Sequence, residues 1–288
     1  MKQAVAQTSG QQAAVSKKRP PRMVEVVEVL ELSPAMRRVV LGGASLAGLP
    51  QCAAAAHIKL FFPRPGQSEP RLPEVDRLGR VCWPASSVRP VVRTYSVRGH
   101  EPARERITVD FVLHEPSGPA SDWARRARPG MRIGLAGPGG PAPMLPPSER
   151  YLLVGDLSAL PAISALMEAL PDHSSGHAFV FLERAEDLQV LRGPAGMEVC
   201  YLLGDGTDTG EGELLAAVKR LAPWARGAFA WLAGENAQVL AVRDYLLQQR
   251  GFAREQLYAV PYWKRQQSEE AYHEERHRIM DEVLAGRT

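Results

Sequence analysis

The sequence of 288 residues has few cysteines and no long hydrophobic run. Cys52, Cys82 and Cys200 stand far apart without CxxC or Cys/His spacing, which argues against a disulfide framework and against a zinc site. No stretch of eighteen apolar residues occurs, so the sequence predicts no membrane span. Residues 1–22 are polar and lack the apolar segment of a signal peptide, and we expect a disordered tail there. These absences together predict a cytoplasmic protein.

The chain also lacks the GxGxxG fingerprint of tightly bound dinucleotides, and its formal net charge is only +3. So small a charge predicts no nucleic-acid partner unless the basic residues concentrate on one face. The hydrophobic fraction of 45% and the charged fraction of 23% are typical of a globular protein. The length is sufficient for two domains.

The two halves of the sequence have different patterns. Residues 23–146 contain short β-branched and aromatic segments broken by Gly and Pro, which favours an antiparallel barrel or sandwich. Residues 147–262 alternate continuous apolar runs with amphipathic helical patterns, which predicts a doubly wound parallel α/β domain. Within it, Gly251 follows a predicted helix and fits a left-handed C-terminal cap. Residues 263–288 are charged and predict a C-terminal helix outside the sheet.

The stretch VVRTYSVRG, residues 91–99, is unusually rich in charged and polar groups for a strand. Because strand residues alternate between faces, Arg93 and Tyr95 should point one way and Thr94 and Ser96 the other. A flavin dinucleotide needs donors for its diphosphate, a flat aromatic group beside its rings and a small hydroxyl near the reactive nitrogen. Arg93, Tyr95 and Ser96 can supply these contacts. An amphipathic edge strand with a solvated face explains the same pattern, and then Arg98 and Thr94 belong to that face.

A second candidate segment follows directly. A strand over residues 107–114 leads to a Gly118-Pro119 turn, after which we expect Ser121 to cap a short helix that begins at Asp122. The unpaired N–H groups and the positive dipole end of a helix N-terminus suit a diphosphate. The two segments are therefore expected to form one site.

The motifs VVRTYSVR, DFVLH and GPASDWA, with GDLSALPAI, WLAGE and YW further on, resemble the siderophore-interacting proteins, flavin-dependent ferric-siderophore reductases of the ferredoxin-reductase superfamily. The resemblance implies a six-stranded Greek-key barrel that binds FAD, then a domain that presents NADPH or NADH. It also implies electron transfer from NAD(P)H through FAD to a ferric siderophore, without protein ligands to the iron. The sequence departs from the family pattern at Glu115, Leu157-Ser158 and Gln266. Carried over by position, the FAD contacts are Arg93, Thr94, Tyr95, Ser96, Asp110, Val112, His114, Ala120, Ser121, Trp123 and Ala124.

The nicotinamide half can bind NAD(P)H transiently without a GxGxxG motif. The segment YLLVGDLSALPAIS and the turn in WLAGE place strand C-termini and helix N-termini at one edge of a parallel sheet. Arg184 could meet a 2′-phosphate, but a surface arginine explains it as well, so NADPH and NADH both stay open. The candidate nicotinamide contacts are Gly155, Asp156, Ser158, Pro161, Gly234 and Glu235.

Ferric catecholates are anionic, so a basic entrance would attract them, and Lys59, Lys264 and Arg265 are the candidate cations. Two alternatives to a ferric-siderophore reductase stay open. The first is a general flavin reductase or ferredoxin-linked electron-transfer module, in which ferredoxin could be the donor. The second is a siderophore-binding protein with little turnover.

Overall fold

The computed structural model describes residues 19–204, 212–222, 227–267, 271, 272 and 275 of the chain. The predicted disordered tail lies outside the described residues as far as residue 18. The predicted C-terminal helix lies outside them beyond residue 267, except for three residues. Among the helices that are described, none has both the length and the apolar character needed to cross a bilayer.

An antiparallel sheet forms the first half of the described chain. The elements are β1 (Arg22–Ser33), β2 (Met36–Gly42), β3 (His57–Phe62), β4 (Glu74–Val75), β5 (Val81–Cys82), β6 (Val91–Ser96), β7 (Gly99–Glu101), β8 (Arg106–Val112), α1 (Pro119–Arg126) and β9 (Arg132–Gly139). The strand order in the sheet is β6-β3-β9-β1-β2-β8-β7. The six predicted strand segments are all present, whereas the sequence pattern does not predict the β4–β5 hairpin, whose strands have two residues each.

One bent strand, β6 with β7, closes this sheet into a barrel. The N–H of Val97 donates to the carbonyl of Ala56, beside β3, at 2.7 Å, whereas the N–H of Arg98 donates to that of Thr108 on β8 at 2.9 Å. The chain thus passes from one end of the strand order to the other within two residues. Counted as one strand, β6 and β7 complete the expected six-stranded barrel, which is confirmed. Closure removes the open edges of the sheet.

The barrel core is built from the alternating inward residues of its strands, such as Leu60, Phe62 and Phe111, all of which are fully buried. Helix α1 adds Trp123 and Ala124 to the same core. The segment that carries the second set of predicted FAD contacts is therefore held by burial of its apolar side chains.

A parallel sheet flanked by helices forms the second half. The elements are β10 (Arg150–Asp156), α2 (Leu160–Ala169), β11 (Ser175–Leu182), β12 (Gly196–Leu203), α3 (Glu213–Arg220), β13 (Ala228–Glu235), α4 (Asn236–Gln249) and β14 (Leu257–Trp263). The strand order is β12-β11-β10-β13-β14. Leu153 and Val180 pack with α2 on one face, and Leu152 and Val154 pack with α3 and α4 on the other, which confirms the doubly wound α/β prediction. Gly251 has φ +71°, as predicted for the cap after α4.

The two halves share buried contacts. Met36 and Ala55 of the first half belong to the same buried cluster as the inner face of α2. Asp187, which is buried, accepts hydrogen bonds from the Ser33 hydroxyl at 2.6 Å and from the N–H of Ala35 at 2.9 Å. The parallel sheet is therefore docked against the β1–β2 turn by both apolar and polar contacts.

Candidate functional site

Four aromatic rings join β6 to α1. The ring of Tyr95 lies 4.5 Å from that of Phe111 and 6.3 Å from that of Phe62, measured between centroids. The Trp123 ring lies 5.6 Å from Phe62 and 5.7 Å from Phe111. Pairs at these separations add to the stability that burial supplies. The structure therefore brings the two segments that the sequence predicts as halves of one site onto a common aromatic cluster.

The residues of β6 alternate as a strand requires. Tyr95 packs against the barrel core and Thr94 is exposed. Arg93 is half-buried, and its guanidinium donates to the carbonyl of Val92 at 2.9 Å. On the opposite face, the hydroxyls of Ser96 and Tyr262 lie 3.0 Å apart and share a hydrogen bond. Ser96 thus connects the barrel to the end of β14.

Helix α1 begins at Pro119, with Gly118 as its N-cap and no side-chain cap. The prediction that Ser121 caps a helix beginning at Asp122 is therefore wrong. Proline at the first helical position starts the helix earlier because its fixed φ and missing N–H fit there. The Ser121 hydroxyl instead accepts from the N–H of His114 at 3.3 Å, which ties the helix to the end of β8.

The predicted contacts on α1 have buried side chains: Ala120, Ser121, Trp123 and Ala124. Their side chains belong to the packing of the barrel, so a ligand at this helix would meet backbone N–H groups of its first turn. Trp123 Nε1 is buried and has no hydrogen-bond partner among the described residues. A guanidinium, first-turn amides and an aromatic ring around one cluster are the donor set that a flavin dinucleotide needs, so the residues present fit FAD.

Asp110 is buried and fully engaged with cations. Arg38, its register partner on β2, donates to both of its oxygens at 2.7 and 2.8 Å, and Arg98 Nε lies 4.0 Å away. The hydrogen bond to Asp110 raises the pKa of Arg38, against the opposing effect of burial. The Asp110 carboxylate thus holds β2 to β8, and its contact with FAD stays a prediction. Val112, at the end of β8, packs into the cluster shared with α2, and His114, just beyond the strand, is exposed.

Arg98 also reaches the second half. Its guanidinium donates to both oxygens of Glu168 on α2, at 2.6 and 2.8 Å. Its side chain is only 18% exposed, so the solvated face that the sequence left as an alternative does not include this arginine. The bidentate geometry makes this pair stronger than an ordinary surface ion pair.

The candidate nicotinamide residues meet around the buried carboxylate of Asp156. One oxygen accepts from the N–H and hydroxyl of Ser158 at 2.8 and 2.5 Å, and from the N–H of Ala159 at 3.3 Å. The other accepts from the N–H of Glu235 and from Trp263 Nε1, both at 2.8 Å. Burial raises the pKa of Asp156, while these hydrogen bonds oppose the rise. The carboxylate therefore ties the ends of β10, β13 and β14 together.

The glycines at this edge allow neighbouring protein atoms to pack where a Cβ would otherwise lie. A Cβ on Gly234, which has φ +133°, would lie 2.8 Å from Asp156 Cγ. A Cβ on Gly155 would lie 2.4 Å from Ala159 Cβ. Glu235 caps α4 by accepting from the N–H groups of Ala237 and Gln238 at 2.5 and 3.2 Å. Pro161 is buried in the first turn of α2.

The three predicted substrate cations have different surroundings. Lys59 is exposed on β3, opposite Thr94, and no acidic partner is found for it among the described residues. Lys264 donates to both oxygens of Glu275 at 2.8 and 2.9 Å. The N–H of Arg265 donates to Glu235 at 3.3 Å. Since the charge of Lys264 is already paired, Lys59 is the stronger candidate for an anionic ligand.

Sequence reasoning missed Tyr262 and Trp263, although it noted their motif. Both stand at the end of β14, and their partners, Ser96 and Asp156, lie more than a hundred residues away along the chain. The usable signal is position: an aromatic pair at the carboxyl end of the last parallel strand lies at the edge where ligands bind in such sheets.

A closed antiparallel barrel followed by a doubly wound parallel sheet defines a two-domain flavoprotein reductase architecture. Residues 25–142 match the family described as siderophore-interacting FAD-binding domain, and residues 148–266 match that described as siderophore-interacting protein. The chain therefore belongs to the siderophore-interacting protein family, and its first half is an FAD-binding domain.

Full-length relatives agree with this assignment. Ferric vibriobactin reductase ViuB of Vibrio cholerae is 38% identical over 265 residues, which cover 91% of this chain and 96% of the relative. The crystal structure of the siderophore-interacting protein SipS from Aeromonas hydrophila matches with a TM-score of 0.80 and 35% identity, over 91% of this chain and 98% of that one. A siderophore utilization protein from T. fusca matches with a TM-score of 0.76 and 34% identity, over 86% and 94%.

Proposed function

We propose that this chain is a flavin-dependent reductase that uses NADH or NADPH to reduce a ferric siderophore and release Fe²⁺ in the cytoplasm. The observation that carries the proposal is the Ser96–Tyr262 hydrogen bond. It joins the barrel segment proposed to hold FAD to the edge of the parallel sheet proposed to hold the nicotinamide. The likeness to a ferric vibriobactin reductase, at 38% identity over nearly the whole chain, supports the iron substrate.

The barrel residues would hold FAD in distinct ways. Arg93 and the first-turn amides of α1 offer donors for the diphosphate, the ring of Tyr95 offers a flat apolar surface, and Ser96 offers a hydroxyl. Bound FAD converts a two-electron hydride donor into a source of single electrons for Fe³⁺. Because Phe62 and Phe111 fix the Tyr95 ring, its orientation is set before any ligand arrives.

The nicotinamide would bind outside the carboxyl ends of β10 and β13, where the strand order of the sheet reverses. Gly155 and Gly234 leave room there for Ala159 and for the Asp156 carboxylate, which a Cβ at these positions would approach to 2.4 and 2.8 Å. Asp156 acts as a positioning residue, since its hydrogen bonds fix Ser158, Glu235 and Trp263 around this crevice.

The ferric chelate needs an open, positively charged approach. Siderophores bind Fe³⁺ through hard oxygen ligands that hold Fe²⁺ less well, so reduction promotes release without protein ligands to the metal. Among the described residues, no group of three or more His, Cys, Asp or Glu side chains is placed to hold a metal ion. Lys59 supplies a positive charge close to β6 and would attract an anionic chelate.

Anaerobic electron transfer tests this proposal. The purified protein, reconstituted with FAD, is offered NADH, NADPH and reduced ferredoxin in turn, and loss of flavin absorbance reports reduction. Ferric chelates are then added with a ferrous-specific trap. We expect reduction by one of the nicotinamides and formation of the ferrous complex.

The alternatives give different results. Reduction by ferredoxin alone would make the chain a ferredoxin-linked module. Reduction without ferrous product would indicate a general flavin reductase. A protein that binds ferric chelates but cannot be reconstituted with FAD would contradict both enzyme functions and favour a siderophore-binding protein.

A further inference from the structure

The segment between β3 and β6 holds an exposed tryptophan in a fixed position. Trp83 is 42% exposed as a residue, yet its ring centroid lies 6.2 Å from that of Phe61 on β3. The guanidinium carbon of Arg89 lies 5.4 Å from the centre of the Trp83 ring, within cation–π range. Trp83 is thus held against the barrel on one side while much of the ring stays open to solvent.

This tryptophan lies beside the strand of the proposed FAD site. Phe61 is in register with Val92, and Lys59 is in register with Thr94. Since Lys59 and Phe61 are two residues apart on a strand, they share its outward face. Trp83 therefore covers the ladder position next to Lys59 and Thr94, on the outer side of β3 and β6.

The cations around Trp83 are not neutralised by acids. Lys59, Arg64 and Arg89 are all exposed, and none has an acidic partner among the described residues. The Nε of Arg64 donates to the carbonyl of Arg89 at 2.7 Å, which holds the two arginine positions together. Some other arginines of the barrel domain are paired with acids: Arg80 with Asp76 and Arg132 with Glu69, both at 2.7 Å. Lys59, Arg64 and Arg89 therefore leave positive charge without an acidic partner on the side of the barrel that carries the Trp83 ring.

We infer that Trp83, Arg89 and Lys59 form a subsite for the aromatic ring of an anionic ferric chelate, an aryl subsite. This inference rests on the proposed function and adds a substrate class to it. A catecholate ring can stack on the Trp83–Arg89 pair while Lys59 and Arg64 meet the negative charge of the complex. A neutral trihydroxamate complex has neither an aromatic ring nor a charge to offer this surface.

Binding without turnover tests the aryl subsite. The full-length protein is titrated calorimetrically with Ga³⁺ complexes of a tris-catecholate and of a neutral trihydroxamate, because Ga³⁺ cannot be reduced by the enzyme. The variants are Trp83→Leu, which keeps an apolar contact with Phe61, and Arg89→Gln. Arg220→Ala, on α3, removes one exposed cation far along the chain from the subsite and serves as the control.

We expect each subsite variant to weaken tris-catecholate binding about 3- to 10-fold and to leave trihydroxamate binding unchanged. Arg220→Ala should change neither. Equal effects on both complexes, or none on either, would overturn the inference. A rise in the KM for reduced ferredoxin alone would also overturn it, because the surface would then dock an acidic protein. A further outcome is that Trp83→Leu weakens binding of the gallium tris-catecholate while the wild-type protein does not reduce the ferric complex. The proposed reductase function would then be wrong, but the aryl subsite would be supported.

Discussion

Ser96 and Tyr262 share a hydrogen bond across 166 residues of sequence, so single side chains contribute directly to the contact between the two halves. The Tyr262 hydroxyl faces the barrel, and its burial raises the pKa of Tyr262 to about 12. Asp156 has a comparable role within the parallel sheet, where its carboxylate, at the end of one strand, accepts hydrogen bonds from the ends of two others. At this scale the molecule depends on a small number of buried polar groups that have their partners in distant parts of the chain.

Replacing Arg93 with alanine should weaken FAD binding about 10- to 100-fold, the value of a lost charge-assisted hydrogen bond. Titration of the apo-protein with FAD measures this directly. Arg93→Lys, which keeps the charge but loses the forked donor, should fall between wild type and Arg93→Ala. Full flavin occupancy in Arg93→Ala would refute the role given to this residue.

Tyr262→Phe should change how stability depends on alkaline pH. The unfolded tyrosine titrates near pH 10, so a folded pKa of about 12 contributes stability that is complete below pH 10 and is lost as the pH rises to 12. The loss is about 1–2 kcal/mol, since Tyr262 is only partly buried. Urea unfolding at several pH values between 9 and 12 measures it. Ser96→Ala keeps the Tyr262 phenol, so this variant should still lose stability between pH 10 and 12. If the free energy of unfolding of Tyr262→Phe changed with pH in parallel with that of wild type, the role given to Tyr262 would be contradicted.

At the scale of secondary-structure elements, the junction of β13 and α4 is a tightly constrained part of the candidate site. Gly234 has a positive φ and lies against Asp156, and the next residue both donates to Asp156 and caps α4. A strand, a helix start and a buried carboxylate therefore depend on a single glycine conformation.

Gly234→Ala should destabilise the fold by about 3 kcal/mol or more, because backbone strain is added to the clash with the carboxylate. Gly251→Ala is a matched control. It has φ +71° with nothing within 4 Å of a new Cβ, so it should cost only about 1–2 kcal/mol. Chemical denaturation of both variants provides the comparison. Equal losses of unfolding free energy in the two variants would mean that the contact with Asp156 adds nothing to the cost of Gly234→Ala.

At the scale of the whole molecule, the barrel and the parallel sheet share one buried cluster and a polar contact at Asp187. Neither half completes its apolar packing without the other. We therefore expect one cooperative unfolding transition rather than two.

Circular dichroism, tryptophan fluorescence and flavin release should report the same midpoint in a denaturant titration. Asp187→Ala leaves the N–H of Ala35 without its acceptor and should separate the transitions of the two halves. Asp76→Ala, which removes a carboxylate bonded only within the β4–β5 turn, should lower stability without separating them. Separate midpoints in wild type would show that the shared cluster does not couple the halves.

Local patterns predicted the elements but not their long-range contacts. Apolar periodicity placed all the longer strands and the helices α2, α3 and α4, since burial imposes that periodicity. The sequence misplaces the start of α1 because Pro119 takes the first helical position, and the Ser121 hydroxyl, a strong capping group, accepts from the N–H of His114 instead. Arg98 looked like a solvated charge because Glu168, its partner, lies 70 residues away. Such pairs leave no signal within a strand or a helix, so only the folded structure identifies them.

β9 is the last strand of the barrel to be synthesised, and it pairs with both β1 and β3. A chain emerging from the ribosome therefore contains Arg93, Tyr95 and Ser96 well before their barrel can close. Until β9 appears, β1 and β3 are open edges on which another nascent chain can pair. A single strand then seals both edges at once, so the cofactor site and protection from aggregation are acquired in the same step of biosynthesis.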